Sequence, residues 1–202
     1  MINITRIENS DPYNKFAELY EQALRNNQSQ PEAMVISSFD SSSQEVDSRF
    51  VNLKYVIKNE WTFFSNYNSP KSAQFKSHDQ ISCVFYWNKI DTQIRLKAKI
   101  GRADINLSNK HFNERSKEKN ALAISSMQSK KISSYQKVLV NYEYVFKDIN
   151  NFKKRPEYWG GFTFVPFYFE FWQGHESRIN RRHTYIPSKN NNKEWIKSTL
   201  QP

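Results

Sequence analysis

Gln93-Ile-Arg-Leu-Lys-Ala-Lys-Ile-Gly-Arg-Ala103 alternates from residue to residue. Ile94, Leu96, Ala98 and Ile100 fall on one side, and Gln93, Arg95, Lys97 and Lys99 on the other. Successive side chains of a strand point to opposite faces, so this pattern predicts a half-buried strand. The continuous apolar run just before it, Ile81–Trp87, predicts a strand buried more deeply. Working outward, Ala33–Phe39, Arg49–Val56 and Trp61–Ser65 read as earlier strands, with a turn at Asp40–Ser43. Phe164–Trp172 and Arg178–Ile186 read as late ones, and Pro166 implies a strand edge or start. Lys153–Gly161 reads as a turn-rich connection.

Helices interrupt this pattern without alternating regularly with strands. Asp11 as cap and Pro12 in the first turn open one over about 11–27, with Phe16, Leu19, Tyr20, Ala23 and Leu24 at helical spacing. Ser69-Pro70 opens a short one ending near Lys76. The middle, about 108–147, reads as helical, with caps at Ser108 and at Ser133 or Ser134. Strands without a βαβ rhythm predict a mainly β protein: an antiparallel barrel with flanking helices, one domain spanning 1–202, with C-terminal strands over about 164–187. The 15 Phe, 11 Tyr and 5 Trp supply enough apolar surface for a core, which excludes a disordered chain.

Composition narrows the chemistry. The four glycines, Gly101, Gly160, Gly161 and Gly174, form neither a dinucleotide-binding fingerprint nor a phosphate-binding loop. Side chains must therefore supply much of any phosphate site. The single cysteine, Cys83, lies inside an apolar run and reads as a small buried hydrophobe. His78, His111, His175 and His183 are scattered, so no metal site is expected. No apolar run reaches bilayer length, and Met1–Ile7 has no hydrophobic signal core, so a cytoplasmic protein without membrane contact is expected. The net charge of +10 suits an anionic partner, although most of it reads as solvated surface. The basic clusters are Lys130-Lys131, 153–155 and Arg178 to Arg182.

Three segments stand out. Arg49-Phe-Val-Asn-Leu-Lys54 brackets apolar residues with two cations of opposite parity, which in an unbroken strand face different ways. Lys71, just inside a helix start, can share an anion with free backbone N–H groups. Trp172-Gln-Gly-His-Glu-Ser-Arg-Ile-Asn-Arg-Arg182 joins a large aromatic, a turn glycine and three arginines, more planar donors than a solvated hairpin needs.

These segments resemble the pyridoxine (pyridoxamine) 5′-phosphate oxidase family, collinearly from about Asp11 to Pro202. The matching pieces include Arg49–Lys54, Phe63-Phe-Ser-Asn66 with Ser69-Pro-Lys71, Gln93 and Met127-Gln-Ser129. The most specific are Trp159-Gly-Gly-Phe162 and Phe169-Glu-Phe-Trp-Gln-Gly174 with Arg178 to Arg182; Leu200-Gln-Pro202 matches the family's ending. The resemblance implies a homodimer of FMN-binding split β-barrels, with flavin at the subunit interface. It implies FMN contacts from Arg49, Phe50, Val51, Asn52, Leu53, Phe64, Ser65, Lys71 and Gln93 of one subunit, and from Gln128, Ser129, Trp172 and Arg182 largely of the other. Lys54, Arg115 and Arg178 match substrate contacts, with Arg178 the catalytic residue that orients substrate over the flavin.

The chain departs from the family at several places. His111 stands for a tyrosine, Lys119 for a serine, Asn180 for a histidine and Pro70 for an arginine. His111, Lys119 and Asn180 are still expected at the substrate, with His111 donating to its phosphate. The implied activity is oxidation of a vitamin B6 phosphate to pyridoxal 5′-phosphate, with dioxygen reduced to hydrogen peroxide. Two other readings compete. One is a flavin-binding relative with a different small-molecule substrate or flavin reductase activity. The other is a non-enzymatic basic protein that binds nucleic acid or pyridoxal phosphate; the lack of a stripe of interleaved basic and aromatic residues speaks against nucleic acid.

Overall fold

The computed structural model describes residues 1–152, 154–191 and 194–202; Lys153, part of one basic cluster, lies outside them. Among the described residues there are ten strands and five α-helices. In chain order these are β1 (Asn3–Thr5), α1 (Asp11–Arg25), β2 (Ala33–Asp40), β3 (Glu45–Asn52), β4 (Tyr55–Ile57), β5 (Glu60–Asn66) and α2 (Pro70–Ser77). Then follow β6 (Gln80–Trp87), β7 (Thr92–Arg102), α3 (Ile105–Glu114), α4 (Lys117–Ser125), α5 (Tyr135–Lys147), β8 (Trp159–Gln173), β9 (Arg181–Pro187) and β10 (Trp195–Leu200).

The strands form one sheet in the order β1-β4-β5-β8-β7-β6-β2-β3, with β9 on β8 and β10 on β9. All ladders are antiparallel except β1 on β4. β3 closes one end of this path and β4 lies next to the other end, yet only Leu53 and Lys54 separate them in the chain. The sheet must therefore curl back on itself. No ladder joins β3 to β4 among the described residues, so the sheet stays open: a split barrel rather than a closed one.

The alternation of β7 is realised, with Ile94, Leu96, Ala98 and Ile100 buried. They meet Met34, Ile36, Cys83, Phe85 and Trp87 in one core. Cys83 is fully buried, and burial pushes its thiol pKa up. Helix α1 lays Tyr13, Phe16, Tyr20 and Ala23 against this core, and the Phe16 ring lies 4.3 Å from that of Trp61. No helix among the described residues is long and apolar enough to cross a membrane.

Several local expectations are revised. The strand expected over Arg49–Val56 is broken at Leu53–Lys54 into β3 and β4. Leu53 is fully buried, and its N–H bonds to the Glu32 carbonyl at 2.9 Å, while Lys54 N–H bonds to Thr62 O at 2.9 Å. These bonds divert the chain out of the β3 ladder and cancel the parity argument for Arg49 and Lys54.

The helical middle is three helices. Asp104, not Ser108, caps α3, accepting from Asn106 and Leu107 N–H at 2.8 and 3.1 Å. Ser108 lies inside α3, where its hydroxyl accepts the Gly161 N–H at 3.1 Å. Ser134 caps α5 as expected. Ser10 rather than Asp11 occupies the N-cap of α1.

The end of the connection over 153–161 is already strand. β8 starts at Trp159, and its two glycines serve close packing: a Cβ on Gly160 would overlap the Tyr67 ring, and one on Gly161 would lie 2.7 Å from Ala103 Cβ. β8 is not an edge strand. It pairs with β7 on one side and with β5 and then β9 on the other. Pro166 falls where β5 has ended and β9 has not begun, next to the register shift at Lys97/Ala98, so its missing N–H disrupts no ladder there. The late strand expected from Arg178 begins at Arg181. β1 and β10 escape a pattern search because β1 is three residues long and β10 is largely exposed.

Candidate active site

A cavity of about 790 Å³ opens between β3, β5, the start of α2, the end of α3, α4 and the 126–129 loop. Its wall includes Arg49, Lys54, Lys71, Arg115 and Lys119, against the carboxylates of Asp47 and Glu114. The five cations fall into two groups.

The first group forms where β3 meets α2. Lys71 is buried, and its ammonium donates to the Ser65 and Ser69 hydroxyls, each at 3.3 Å. It makes no ion pair among the described residues. Burial, then the nearby Arg49, lower its pKa. Arg49 donates to Ser38 Oγ at 2.6 Å and to Gln74 Oε1 at 2.9 Å, and pairs with Asp47 at 3.3 Å. Gln74 in turn donates to Asp47 at 2.6 Å, so the guanidinium is braced from both sides. Ser65 Oγ and the Asn66 N–H donate to Gln128 Oε1 at 3.1 and 3.2 Å. Ser129 lines the same wall and holds a left-handed φ of 67°. Two cations, hydroxyls and the first turn of α2 make this a site for an oxyanion.

The second group surrounds His111. Its ring stacks on Phe64 at 3.8 Å and 12°, and Phe64 stacks on Trp159 at 5.5 Å and 14°. Burial, then Arg115, Lys54 and Lys119, lower the His111 pKa to about 4. Arg115 lies over Trp159 and donates from Nη2 to the Lys119 carbonyl at 3.0 Å. Its Nη1 is buried without a hydrogen-bond partner, and burial lowers its pKa to about 10. A buried guanidinium nitrogen without a partner is costly, and an anion drawn in beside Arg115 would relieve that cost.

The structure thus brings Arg49, Phe50, Val51, Asn52, Lys54, Phe64, Ser65, Lys71, His111, Arg115, Lys119, Gln128 and Ser129 into one cavity. Gln128 and Ser129 line this cavity beside Arg49 and Lys71 of the same chain. Leu53 points into the core instead.

Gln93, Trp172 and Arg182 do not line this cavity. They stand in one row across β7, β8 and β9, Gln93 opposite Trp172 and Trp172 opposite Arg182. Arg182 is fastened there: Nε and Nη2 donate to the buried Glu170 at 3.0 and 2.8 Å, and Nη1 to the Gln201 carbonyl at 3.0 Å. Arg95 pairs with the other Glu170 oxygen at 2.8 Å.

Arg178 and Asn180 sit on the loop between β8 and β9, with Arg178 exposed at φ 61° and Asn180 accepting the His175 N–H at 3.1 Å. Trp159 at the start of β8 lines the cavity, whereas this loop leaves from its other end. Neither Arg178 nor Asn180 lines the cavity of its own chain. Sequence reading missed Tyr55, Glu114 and the wall position of Trp159. Tyr55 and Glu114 carry no motif signal, and Trp159 stands out in the sequence only as part of a motif.

Comparison with known proteins places this geometry. A structure of PhzG from Burkholderia lata 383, in complex with tetrahydrophenazine-1-carboxylic acid, superimposes with a TM-score of 0.87 at 20% identity, covering 96% of this chain and 93% of that one. A pyridoxamine 5′-phosphate oxidase-related, FMN binding protein from Nostoc punctiforme PCC 73102 superimposes with a TM-score of 0.76 at 12% identity, covering 96% and 99%. The fold is therefore that of the split-barrel proteins typified by FMN-binding members.

Sequence relatives narrow this class. Residues 159–202 match the pyridoxine 5′-phosphate oxidase C-terminal dimerisation region. The chain is 32% identical over 193 residues to the pyridoxine/pyridoxamine 5′-phosphate oxidase of Coxiella burnetii, covering 96% of each. It is 32% identical over 202 residues to that of Vesicomyosocius okutanii, covering 100% of this chain and 92% of the relative. The chain belongs to the pyridoxine/pyridoxamine 5′-phosphate oxidase family.

Proposed function

We propose that the protein, as a homodimer, binds FMN in the described cavity and oxidises pyridoxamine or pyridoxine 5′-phosphate to pyridoxal 5′-phosphate. The observation that carries this reading is the pair of cationic poles in one cavity, Arg49 with Lys71 and Lys54 with Arg115 and Lys119. One phosphorylated ligand needs one such pole; a phosphorylated cofactor beside a phosphorylated substrate needs two. The residues present fit both groups. Lys71 is a buried ammonium with only hydroxyl partners, and Arg115 keeps a buried, unpartnered Nη1. Bound FMN would supply a two-electron acceptor for the hydride of the substrate's 4′ carbon and pass the electrons to dioxygen, giving hydrogen peroxide; the alcohol then gives the aldehyde directly by loss of its hydroxyl proton, and the amine gives an imine that water hydrolyses to the aldehyde and ammonia.

The chain's own residues do the rest. Arg49, Lys71, Ser65 and Ser129 hold the cofactor phosphate, and Gln128 offers an amide to its polar edges. Arg115, Lys54 and Lys119 hold the substrate phosphate at the other pole, fixing the ring in a near-attack position. Trp172, Gln93, Arg178, Asn180 and Arg182 act on the partner's cavity, since none of them lines their own. The cations line a concavity rather than an exposed stripe, which favours a small phosphorylated ligand over nucleic acid.

Anaerobic mixing of FMN-loaded protein with each B6 phosphate tests the reading. Bleaching of the flavin by either substrate is expected. A flavin that neither substrate reduces, but that a nicotinamide reduces readily, would give the site to another reaction.

A further inference from the structure

His111 is tied into a short chain of hydrogen bonds. The Tyr55 hydroxyl lies 2.9 Å from His111 Nδ1 and 3.3 Å from Glu114 Oε2. The phenol has one proton to give, and a carboxylate can only accept. Donation to the carboxylate is the charge-assisted choice. Tyr55 therefore donates to Glu114, and its oxygen is left to accept from His111. That requires the imidazole proton on Nδ1.

Packing holds the ring in this orientation. Phe64 covers one face at 3.8 Å, and the Tyr55 ring meets it edge-on at 5.4 Å and 83°. A ring flip would take Nδ1 away from Tyr55 and break the chain. Burial, then Arg115, Lys54 and Lys119, disfavours a second proton on the imidazole. Nε2 has no hydrogen-bond partner among the described residues, and His111 forms part of the cavity wall.

We propose that Glu114 and Tyr55 lock His111 as its Nδ1–H tautomer, so that Nε2 accepts a hydrogen bond from a hydroxyl, ammonium or ring N–H of the substrate and takes no part in holding its phosphate. This rests on the substrate reading above and reverses the role that resemblance assigns to the position. A lone pair facing a phosphate oxygen repels it; the same lone pair facing a donor discriminates between ring substituents. His111 is then a specificity-determining contact, and Tyr55 and Glu114 are positioning residues that act through it.

Long-range proton–nitrogen spectra of protein carrying 15N-histidine test the lock without any substrate, His111→Phe serving to assign the signals. The expected result is a protonated Nδ1 and a bare Nε2 from pH 6 to 9, with Tyr55→Phe losing that preference. A proton on Nε2 in the unmodified protein would overturn the proposal. Competition by inorganic phosphate tests the contact. His111→Phe keeps the stacked ring, so phosphate should bind it as well as the parent, while pyridoxamine 5′-phosphate binds about three- to tenfold more weakly. Equal weakening of both ligands would return His111 to the phosphate and defeat the proposal. Failure of the parent protein to bind pyridoxamine 5′-phosphate would overturn the substrate reading and, with it, the assigned ligand; the nitrogen spectra would still decide the lock.

Discussion

The guanidinium carbon of Arg115 lies 4.3 Å from the centre of the Trp159 ring. This places a cation from the end of α3 on an aromatic from the first residue of β8. Stacking fixes the plane of the fork, and the contact to the Lys119 carbonyl fixes its rotation, so the unpartnered Nη1 is held ready. Arg115→Ala should weaken substrate binding about ten- to a hundredfold, the scale of one charge-assisted contact, and leave FMN affinity unchanged. Arg115→Lys should recover little, because an ammonium has no planar fork. Parallel titrations with FMN and with pyridoxamine 5′-phosphate check the split; a matching loss of FMN affinity would merge the two poles.

At the other pole the expectation is inverted. Arg49→Ala and Lys71→Ala should each weaken FMN binding by about 1.5–3 kcal/mol, read as quenching of flavin fluorescence. Their effects on the apoprotein should differ. Arg49 braces Ser38, Gln74 and Asp47, so its loss lowers stability. Lys71 is a buried cation without a carboxylate, so Lys71→Met should raise the melting temperature of the apoprotein while still costing FMN.

Glu170 links Arg95, Tyr168 and Arg182 through one buried carboxylate. Burial alone would raise its pKa, but Arg182, Tyr168 and Arg95 outweigh burial and hold it below the ordinary carboxyl value of 4.5. A depressed carboxyl pKa contributes stability above the unfolded-state value, and that stability is lost as pH falls through the folded one. Glu170→Ala should cost about 1.5–3 kcal/mol at neutral pH, since both arginines keep access to water. Denaturant melts from pH 7 to 3 should show the difference between parent and Glu170→Gln shrinking in acid. A constant difference would mean that the carboxylate charge contributes nothing.

The separation of Arg178 from the cavity of its own chain predicts complementation between subunits. Arg178→Ala should slow flavin bleaching strongly, and Lys71→Ala should leave the cavity largely without cofactor at FMN concentrations that just fill the parent. Mixed dimers of the two impaired variants, at that FMN concentration, should regain activity, because one of their two cavities receives Lys71 from one chain and Arg178 from the other. No recovery on mixing, or an FMN-loaded monomer in light scattering at micromolar concentration, would count against the shared site.

Much of the fold was legible locally. The alternation of Gln93–Ala103 and the apolar face of α1 lie within a few residues, and such periodicities report the buried side of an element before anything else is known. The motif segments likewise named most of the cavity wall, from Arg49 to Ser129. Boundaries fared worse where a distant group settled them. Leu53 leaves β3 because its N–H goes to Glu32, and Ser108, inside a helix that Asp104 caps, turns its hydroxyl to the distant Gly161 N–H.

What the sequence alone determined, then, was the set of elements with a strong internal period and the kinds of side chain available to bind phosphate. Tertiary structure alone decided which of them share a cavity and in what state they face it. Register across the curled sheet brings Lys54, His111 and Trp159 together from positions far apart in the chain and carries Arg178 away from them. The tautomer inferred for His111 depends on the Tyr55 hydroxyl of β4 meeting both His111 and Glu114 of α3. Periodicity reflects neighbours in sequence; a hydrogen bond between β4 and α3 is set only once the sheet has curled and both elements have packed.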